Sequence, residues 1–175
     1  MLSNQRDGVT IQPEVKEILK EETDFSFSQP NRLETEEIKL FDISRIYKRV
    51  LVIEDDITQS PFIEDMLLEI NPEVDIEWEV DGKIAINRIM KAQFGSDQSA
   101  FDLIISDIEL EGELSGVDVF NFSLQITPQT KFLLVSGHGL NKLQKDYFKN
   151  LAPLEYLQKP INITKFLKTV SAAIS

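Results

Sequence analysis

The 175-residue chain contains no cysteine, one histidine and only 18 lysine and arginine residues against 30 acidic residues. Without cysteine, disulfides and thiolate metal sites are excluded, and a lone histidine excludes a histidine-rich metal cluster. A net charge of −12 at pH 7 argues against direct binding to nucleic acid, because phosphate contacts need a basic surface. There is no run of about 18 or more apolar residues and no signal-peptide pattern at the N-terminus. We therefore expect a cytoplasmic protein without membrane insertion.

The first quarter of the chain differs in pattern from the rest. Pro13 opens one short amphipathic stretch, and a second stretch with mixed apolar spacing covers residues 33–47. We expect residues 1–47 to form an N-terminal extension that is partly helical or disordered, and residues 48–175 to form one domain. The extension could be a disordered tail, a docking segment for a partner or a dimer arm, and the sequence does not choose among these.

From Arg49 onwards, short apolar runs alternate with amphipathic stretches. The apolar runs predict buried strands over 50–53, 101–106 and 131–136, and a short strand over 154–158. Strict alternation of apolar and acidic residues over 74–80 predicts a further strand with one solvent-exposed face, at a sheet edge. Helical spacing covers residues 61–70, 82–92, 116–125, 139–149 and 163–174. This alternation predicts an α/β fold with a parallel sheet covered by helices on both faces.

Polar groups follow four of the predicted strands. They are Glu54-Asp55-Asp56 after the first strand, Asp107 after the third, Ser136 after the fourth and Lys159 after the fifth. Taken singly, each has an ordinary explanation as a helix cap, a turn residue or a solvated side chain. Those explanations do not predict such groups at four different strand ends. Because sites in open parallel sheets form at the carboxyl ends of the strands, we expect these side chains to converge.

The chemistry of these groups fits phosphoryl transfer. Carboxylates gathered in one cleft repel one another and need a counter-charge. Oxygen ligands select Mg²⁺ or Mn²⁺ over zinc. A carboxylate beside such a cation can attack phosphorus, while a lysine ammonium holds a phosphoryl oxygen and a serine hydroxyl donates a hydrogen bond. Together these groups are what phosphoryl transfer requires when positioning and electrostatics promote it.

The segments VLVIEDD, FDLIISDIEL, LLVSG and YLQKP occur in this order, and DGKIAI follows the second strand. Over residues 49–175 they resemble the receiver domain of bacterial two-component response regulators. The resemblance implies a flavodoxin-like (βα)5 fold, a doubly wound five-stranded parallel sheet with strand order 2-1-3-4-5.

The resemblance also implies a role for each matching residue. Asp107 would be the phosphoacceptor, Lys159 would contact the phosphoryl group, and Ser136 and Tyr156 would be the switch residues. Glu54, Asp55, Asp107 and the backbone carbonyl of Glu109 would hold Mg²⁺. The Lys159-Pro160 peptide would be cis, and the side chains of Glu109 and Glu111 would face solvent rather than bind the metal.

The implied function is phosphorelay signal transduction. A sensor histidine kinase or a histidine phosphotransfer protein would supply the phosphoryl group, and the domain would promote its own phosphorylation and dephosphorylation without being an enzyme in the ordinary sense. Since no DNA-binding output domain follows Ser175, the output would be a contact with a downstream protein or onward phosphotransfer. A homodimer through the predicted fourth helix, fifth strand and fifth helix is a further possibility.

Two positions depart from the family pattern and leave the loop geometry open. Glu111 stands where proline is usual, and the loop from Asp107 to Gly116 is one residue longer than the commonest form. Nearby, His138 is either a solvated loop residue or, together with Glu109, flanks the path of the water that hydrolyses the phosphorylated residue.

Other functions remain alternatives. A pseudo-receiver would bind partners without being phosphorylated, although its acids, serine and lysine would then be unexplained. A phosphatase with an aspartyl-phosphate intermediate would use Glu109 as its general acid, but the acids after the first strand would have no role. A flavin-binding protein of the same fold is disfavoured, because Glu54-Asp55-Asp56 would repel the flavin phosphate.

Overall fold

The protein is described by a computed structural model that covers residues 47–95, 99–139, 142 and 155–174. These residues belong to a unit that spans Tyr47–Ser175. The predicted N-terminal extension lies outside the described residues except for Tyr47, and the predicted helix over 139–149 lies almost wholly outside them. The expected domain boundary therefore stays a prediction.

Strands and helices alternate along the described residues. The strands are β1 (Arg49–Ile53), β2 (Asp75–Glu79), β3 (Leu103–Asp107), β4 (Lys131–Ser136) and β5 (Glu155–Gln158). The helices are α1 (Ser60–Ile70), α2 (Gly82–Phe94), α3 (Gly116–Ile126) and α4 (Ile163–Ile174), and a 3-10 turn, Ile57–Gln59, precedes α1. All strand pairs are parallel, in the order β2-β1-β3-β4-β5. The predicted fold class and strand order are confirmed.

The sheet is buried on both faces, as the continuous apolar runs predicted. On one face, α1 and α4 contact each other, and Phe166 of α4 belongs to a core cluster with alternate residues of the central strands, such as Val52 and Ile105. The strand residues between those of the cluster, such as Leu51 and Ile104, are also fully buried. The helices α2 and α3 contact each other. Burial of each such side chain contributes about 1.5–3 kcal/mol, so the core holds the ends of β1, β3 and β4 in a fixed relation.

The carboxyl end of the edge strand β2 departs from its prediction. Glu79, expected in solvent, is only 8% exposed, whereas Val80, expected to point inward, is 47% exposed. Glu79 is paired with Arg88 of α2, and Glu77 is paired with both Arg88 and Arg49 of β1. The acidic face of β2 is therefore covered by two arginines, because the guanidinium groups neutralise its carboxylates.

The helices α2 and α3 begin at side-chain caps. Asp81 Oδ1 accepts hydrogen bonds from the backbone N–H groups of Lys83 (2.7 Å) and Ile84 (3.0 Å), which starts α2. Ser115 and Asp118 form a capping box at the start of α3, in which Asp118 Oδ2 accepts from the Ser115 N–H at 2.9 Å. Because a cap supplies acceptors for N–H groups without helical partners, these residues determine where each helix begins.

Replacing Asp81 by alanine should lower the free energy of unfolding by about 1 kcal/mol, since two backbone N–H groups at the start of α2 lose their acceptor. Chemical denaturation measures the change. Asp65→Ala, which removes an exposed acid inside α1, controls for the loss of negative charge and should change stability by less than about 0.5 kcal/mol. Equal losses in the two variants would contradict the capping role.

Candidate functional site

The predicted strand-end groups converge at one edge of the sheet. Glu54 and Asp55 follow β1, Asp107 ends β3, and a carboxylate oxygen from each lies within 4.8 Å of the other two. Glu54 and Asp107 are buried, at 4% and 8% exposure, because the core holds the strands that carry them. We call these three residues the acid cluster. The remaining acid of the segment, Asp56, is exposed and caps the 3-10 turn instead.

Lys159 contacts the acid cluster from the end of β5, the edge strand opposite β2. It follows β5 and reaches past β4, so that its Nζ donates to Asp107 Oδ2 at 2.6 Å and to Glu54 Oε2 at 2.8 Å. Its backbone N–H donates to the Ser136 carbonyl at 2.8 Å, which fixes the chain after β5. The Lys159-Pro160 peptide is cis, as predicted. Lys159 thus supplies positive charge directly to the acid cluster.

The pKa shifts at the site reflect burial and incomplete charge compensation. Burial raises the pKa of Glu54, because desolvation of its carboxylate outweighs the stabilisation by Lys159. Burial alone would lower the pKa of Lys159, but its hydrogen bonds to Asp107 and Glu54 outweigh that effect and raise it. Lys159 is the only ammonium in contact with the acid cluster among the described residues, so three carboxylates face one positive charge.

The acid cluster fits a hard divalent cation. Its donors are all carboxylate oxygens, which Mg²⁺ prefers, and their mutual spacing lets a single ion contact several of them. Asp55 is the most accessible member of the cluster and contacts neither Lys159 nor another acid by a hydrogen bond among the described residues. The ligand role of the Glu109 carbonyl stays a prediction.

The loop between β3 and α3 closes over the acid cluster through backbone contacts. The N–H of Glu109 donates to Asp107 Oδ1 at 3.1 Å, and the N–H of Glu111 donates to Asp55 Oδ2 at 3.3 Å. A proline in place of Glu111 could not make the second contact, since proline has no N–H. Both glutamate side chains are exposed, as expected.

Gly112 gives this loop its turn. Its φ of 117° lies in the region that favours glycine. A Cβ at this position would stand 2.5 Å from Asp81 Oδ2, the side chain that caps α2. The sequence indicated a longer loop, but it did not predict that the backbone at Gly112 lies against the side chain of Asp81.

A second chain of contacts links the end of β4 to β5. Ser136 is fully buried, and its Oγ accepts from the N–H of His138 at 3.0 Å. The hydroxyl of Tyr156 donates to the carbonyl of His138, and burial raises the pKa of that hydroxyl. His138 Nε2 lies 3.0 Å from Glu109 Oε1, so the His138 and Glu109 side chains meet at the mouth of the site. The sequence left His138 either as a solvated loop residue or as a residue that flanks the water path together with Glu109, and it did not predict the contact from Tyr156.

Comparison with known proteins gives the family. The family model described as the response regulator receiver domain matches residues 50–171. This chain belongs to the response regulator receiver domains. Receiver domains act in two-component signalling, and the resemblance deduced from the sequence motifs is confirmed. No curated protein matches the chain.

Solved receiver structures share the fold. A response regulator receiver protein from Sinorhizobium medicae WSM419 is 18% identical, with a TM-score of 0.60, over 74% of this chain and 95% of that one. The signal receiver domain of a putative Luxo repressor protein from Vibrio parahaemolyticus is 25% identical, with a TM-score of 0.59, over 74% and 91%. The phosphorylated cyanobacterial phytochrome response regulator RcpA is 18% identical, with a TM-score of 0.57, over 72% and 90%.

In residues 47–95, 99–139 and 155–174, no helix is both long and apolar enough to cross a bilayer.

Proposed function

We propose that this receiver accepts a phosphoryl group on Asp107 in a Mg²⁺-dependent reaction and signals through protein–protein contacts. The observation that carries the proposal is the 2.6 Å contact between Lys159 Nζ and Asp107 Oδ2 inside a group of three carboxylates. A buried carboxylate that is both crowded by acids and held by a lysine is suited to react with a phosphoryl donor.

The residues around Asp107 would act by positioning. Lys159 holds one carboxylate oxygen and the Glu109 N–H holds the other, so the nucleophile has a fixed orientation. An Asp107 oxygen would form the new bond to phosphorus as the bond from phosphorus to a donor histidine nitrogen breaks. Lys159 would then hold an oxygen of the transferred group. The donor would be a sensor histidine kinase or a histidine phosphotransfer protein.

Glu54, Asp55 and Asp107 would hold Mg²⁺, with the Glu109 carbonyl as a further ligand. When bound, the ion supplies positive charge that offsets the charge of the phosphoryl oxygens. The Glu111 N–H orients the carboxylate of Asp55 for this role. Glu54, held by Lys159 at 2.8 Å, keeps the ammonium beside the reacting carboxylate.

The output would depend on Ser136 and Tyr156. The buried Ser136 hydroxyl would donate to the phosphoryl group, which would disturb the contact between its Oγ and the His138 N–H. The hydroxyl of Tyr156 contacts the carbonyl of His138, so the side chain of Tyr156 on β5 would then change its orientation. A local charge would in this way reshape the face next to β5 and α4, where a downstream protein or a second copy of the domain would bind. We place this signalling in the cytoplasm.

Intact-protein mass spectrometry after incubation with Mg²⁺ and acetyl phosphate tests the proposal. We expect a single phosphoryl adduct that is absent when EDTA replaces Mg²⁺. Consumption of acetyl phosphate without an adduct would favour an aspartyl-phosphate phosphatase or a receiver that dephosphorylates very fast. Neither adduct nor consumption would favour a pseudo-receiver, which binds partners without being phosphorylated.

The paired side chains of His138 and Glu109 should control how long the phosphoryl group persists. Replacing either by alanine opens the mouth of the site to water, so we expect dephosphorylation to accelerate about threefold or more, which corresponds to about 0.7 kcal/mol of barrier. The loss of adduct with time, after removal of acetyl phosphate, measures the rate. Glu113→Ala, an exposed acid of the same loop, is the control. Unchanged rates in both His138→Ala and Glu109→Ala would refute this role.

A further inference from the structure

The glutamine just before α1, Gln59, contacts the acid cluster. Its Nε2 donates to Glu54 Oε1 at 3.1 Å, while Lys159 Nζ donates to the other carboxylate oxygen, Oε2, at 2.8 Å. The backbone N–H of Asp56 also donates to Glu54 Oε1, but at 3.4 Å this hydrogen bond is long. The buried carboxylate of Glu54 is therefore held at both oxygens, and Gln59 supplies the shorter contact to Oε1.

The Gln59 side chain does not cap the helix that it precedes. Gln59 occupies the N-cap position of α1, where serine, threonine, aspartate or asparagine is usual, and its side chain makes no capping hydrogen bond. The same Nε2 donates instead to Asp56 Oδ2 at 3.1 Å. An amide nitrogen carries two hydrogens, and an ionised carboxylate can only accept, so one amide group serves Glu54 and Asp56 together. The side chain therefore acts on the loop that carries the acid cluster.

Asp56 holds the Gln59 amide from the solvent side. Asp56 is exposed and does not belong to the acid cluster, and its Oδ1 accepts from Thr58 Oγ1 at 2.6 Å. The hydrogen bonds from Thr58 and Gln59 lower the pKa of Asp56, so this group is a carboxylate at neutral pH. The Gln59 amide is therefore fixed between an exposed carboxylate and the buried carboxylate of Glu54.

We propose that Gln59 is a positioning residue, which orients the Glu54 carboxylate and thereby strengthens the binding of Mg²⁺ to the acid cluster. The inference rests on the proposed function, in which the acid cluster holds the ion. A carboxylate that is held in place before the ion arrives loses less freedom when it binds. The hydrogen bond from Gln59 takes up only part of the accepting capacity of Oε1, so this oxygen can accept a further contact. Gln59 acts through Glu54 and does not itself touch the reacting groups.

Titration of the full chain with Mg²⁺, without any phosphodonor, tests the proposal. The ¹H–¹⁵N NMR signal of the Glu111 backbone amide reports binding, because this N–H contacts Asp55 of the acid cluster. Gln59→Met keeps about the same side-chain length but removes the donor, and we expect it to weaken Mg²⁺ binding at least about threefold. Gln125→Met is the matched control, since the amide of this exposed glutamine donates to the Asn121 carbonyl in α3; it should leave Mg²⁺ binding unchanged. The spectrum of each ion-free variant shows whether it is folded.

A double-mutant cycle decides whether Gln59 acts through Glu54. Glu54→Gln replaces the carboxylate that Gln59 holds, while Asp55 and Asp107 remain to bind Mg²⁺. In this background, Gln59→Met should weaken Mg²⁺ binding no further, because the group that it orients is already lost. An equal loss of affinity in both backgrounds would show a general effect of the substitution on the loop, and it would overturn the proposal.

The rate of adduct formation with acetyl phosphate gives an independent readout. Gln59→Met should slow the reaction at limiting Mg²⁺ and react as fast as the unmodified chain at saturating Mg²⁺, since only the binding of the ion is impaired. A reaction that stays slow at saturating Mg²⁺ would show that Gln59 does not act by strengthening ion binding.

The titrations also separate this inference from the function on which it rests. Saturable Mg²⁺ binding that is equal in the unmodified chain and in Gln59→Met would overturn the role of Gln59 and leave the Mg²⁺-dependent reaction at Asp107 standing. Absence of saturable Mg²⁺ binding to the unmodified chain would overturn both.

Discussion

Asp107→Asn should abolish the phosphoryl adduct and leave the receiver folded. The amide has the shape of the carboxylate, so its oxygen can still accept from the Glu109 N–H that now contacts Asp107 at 3.1 Å. It is a far poorer nucleophile, however, and it carries no charge for Lys159 to hold. We expect the adduct seen with Mg²⁺ and acetyl phosphate to fall below detection, while the thermal unfolding transition remains cooperative.

The matched control is Glu109→Gln. This substitution also converts an acid to an amide, two residues further along the same loop, but the Glu109 side chain is 54% exposed and contacts His138 rather than the acid cluster. Its adduct should form as in the unmodified chain, although its lifetime can differ. An undiminished adduct in Asp107→Asn would place the acceptor elsewhere and overturn the assignment, whereas loss of the adduct in both variants would point to a general effect of charge.

The positions of the strand ends could be predicted from the sequence because burial leaves a simple signal. β1, β3 and β4 each contain an unbroken apolar run, and the polar residue that enters the site follows that run within two positions. In a parallel sheet the ends of those runs fall at one edge, so Asp107 and Ser136 could be placed near Glu54 before any side-chain contact was known. The acid cluster and its contact with Lys159 follow from this geometry.

The environment of β2 could not be predicted in the same way. Its alternating pattern marks Glu77 and Glu79 as one face, but the pattern does not say what covers that face. Arg49 and Arg88 lie far apart along the chain, and they meet the two glutamates only because β1 and α2 adjoin β2 in the fold. An acidic residue with a guanidinium partner can be buried at an edge strand, where the sequence alone indicates solvent.

Details of the loops depended on backbone atoms, which carry no residue-type signal. The N–H of Glu111 contacts Asp55, and the carbonyl of His138 accepts from Tyr156. Any residue except proline could supply the backbone N–H at position 111, and any residue could supply the backbone carbonyl at position 138. The residue type of Glu111 indicated an exposed side chain, which the structure shows, but it could not indicate that the backbone N–H donates a hydrogen bond to Asp55.

Gly116→Ala should be the most damaging small substitution near the site. A Cβ at this position would stand 1.9 Å from the carbonyl oxygen of Asp107 and 2.6 Å from Ser106 Oγ. The first of these atoms is backbone in a fully buried strand, so it cannot move aside without displacing β3 or α3. We expect the free energy of unfolding to fall by about 3 kcal/mol, as measured by chemical denaturation.

The same substitution separates stability from positioning. In the folded fraction, the carbonyl that must move belongs to Asp107 itself, and a displacement of about 1 Å in a reacting group can cost about 100-fold in rate. Adduct formation should therefore be slower than the loss of folded protein explains, when both are measured on one sample. Gly137→Ala is the matched control, because no atom lies within 4 Å of a Cβ built there; it should change stability by less than about 0.5 kcal/mol and leave the rate unchanged. A Gly116→Ala protein as stable and as reactive as Gly137→Ala would show that α3 can shift freely against β3, and that the close contact between them does not position the phosphoacceptor.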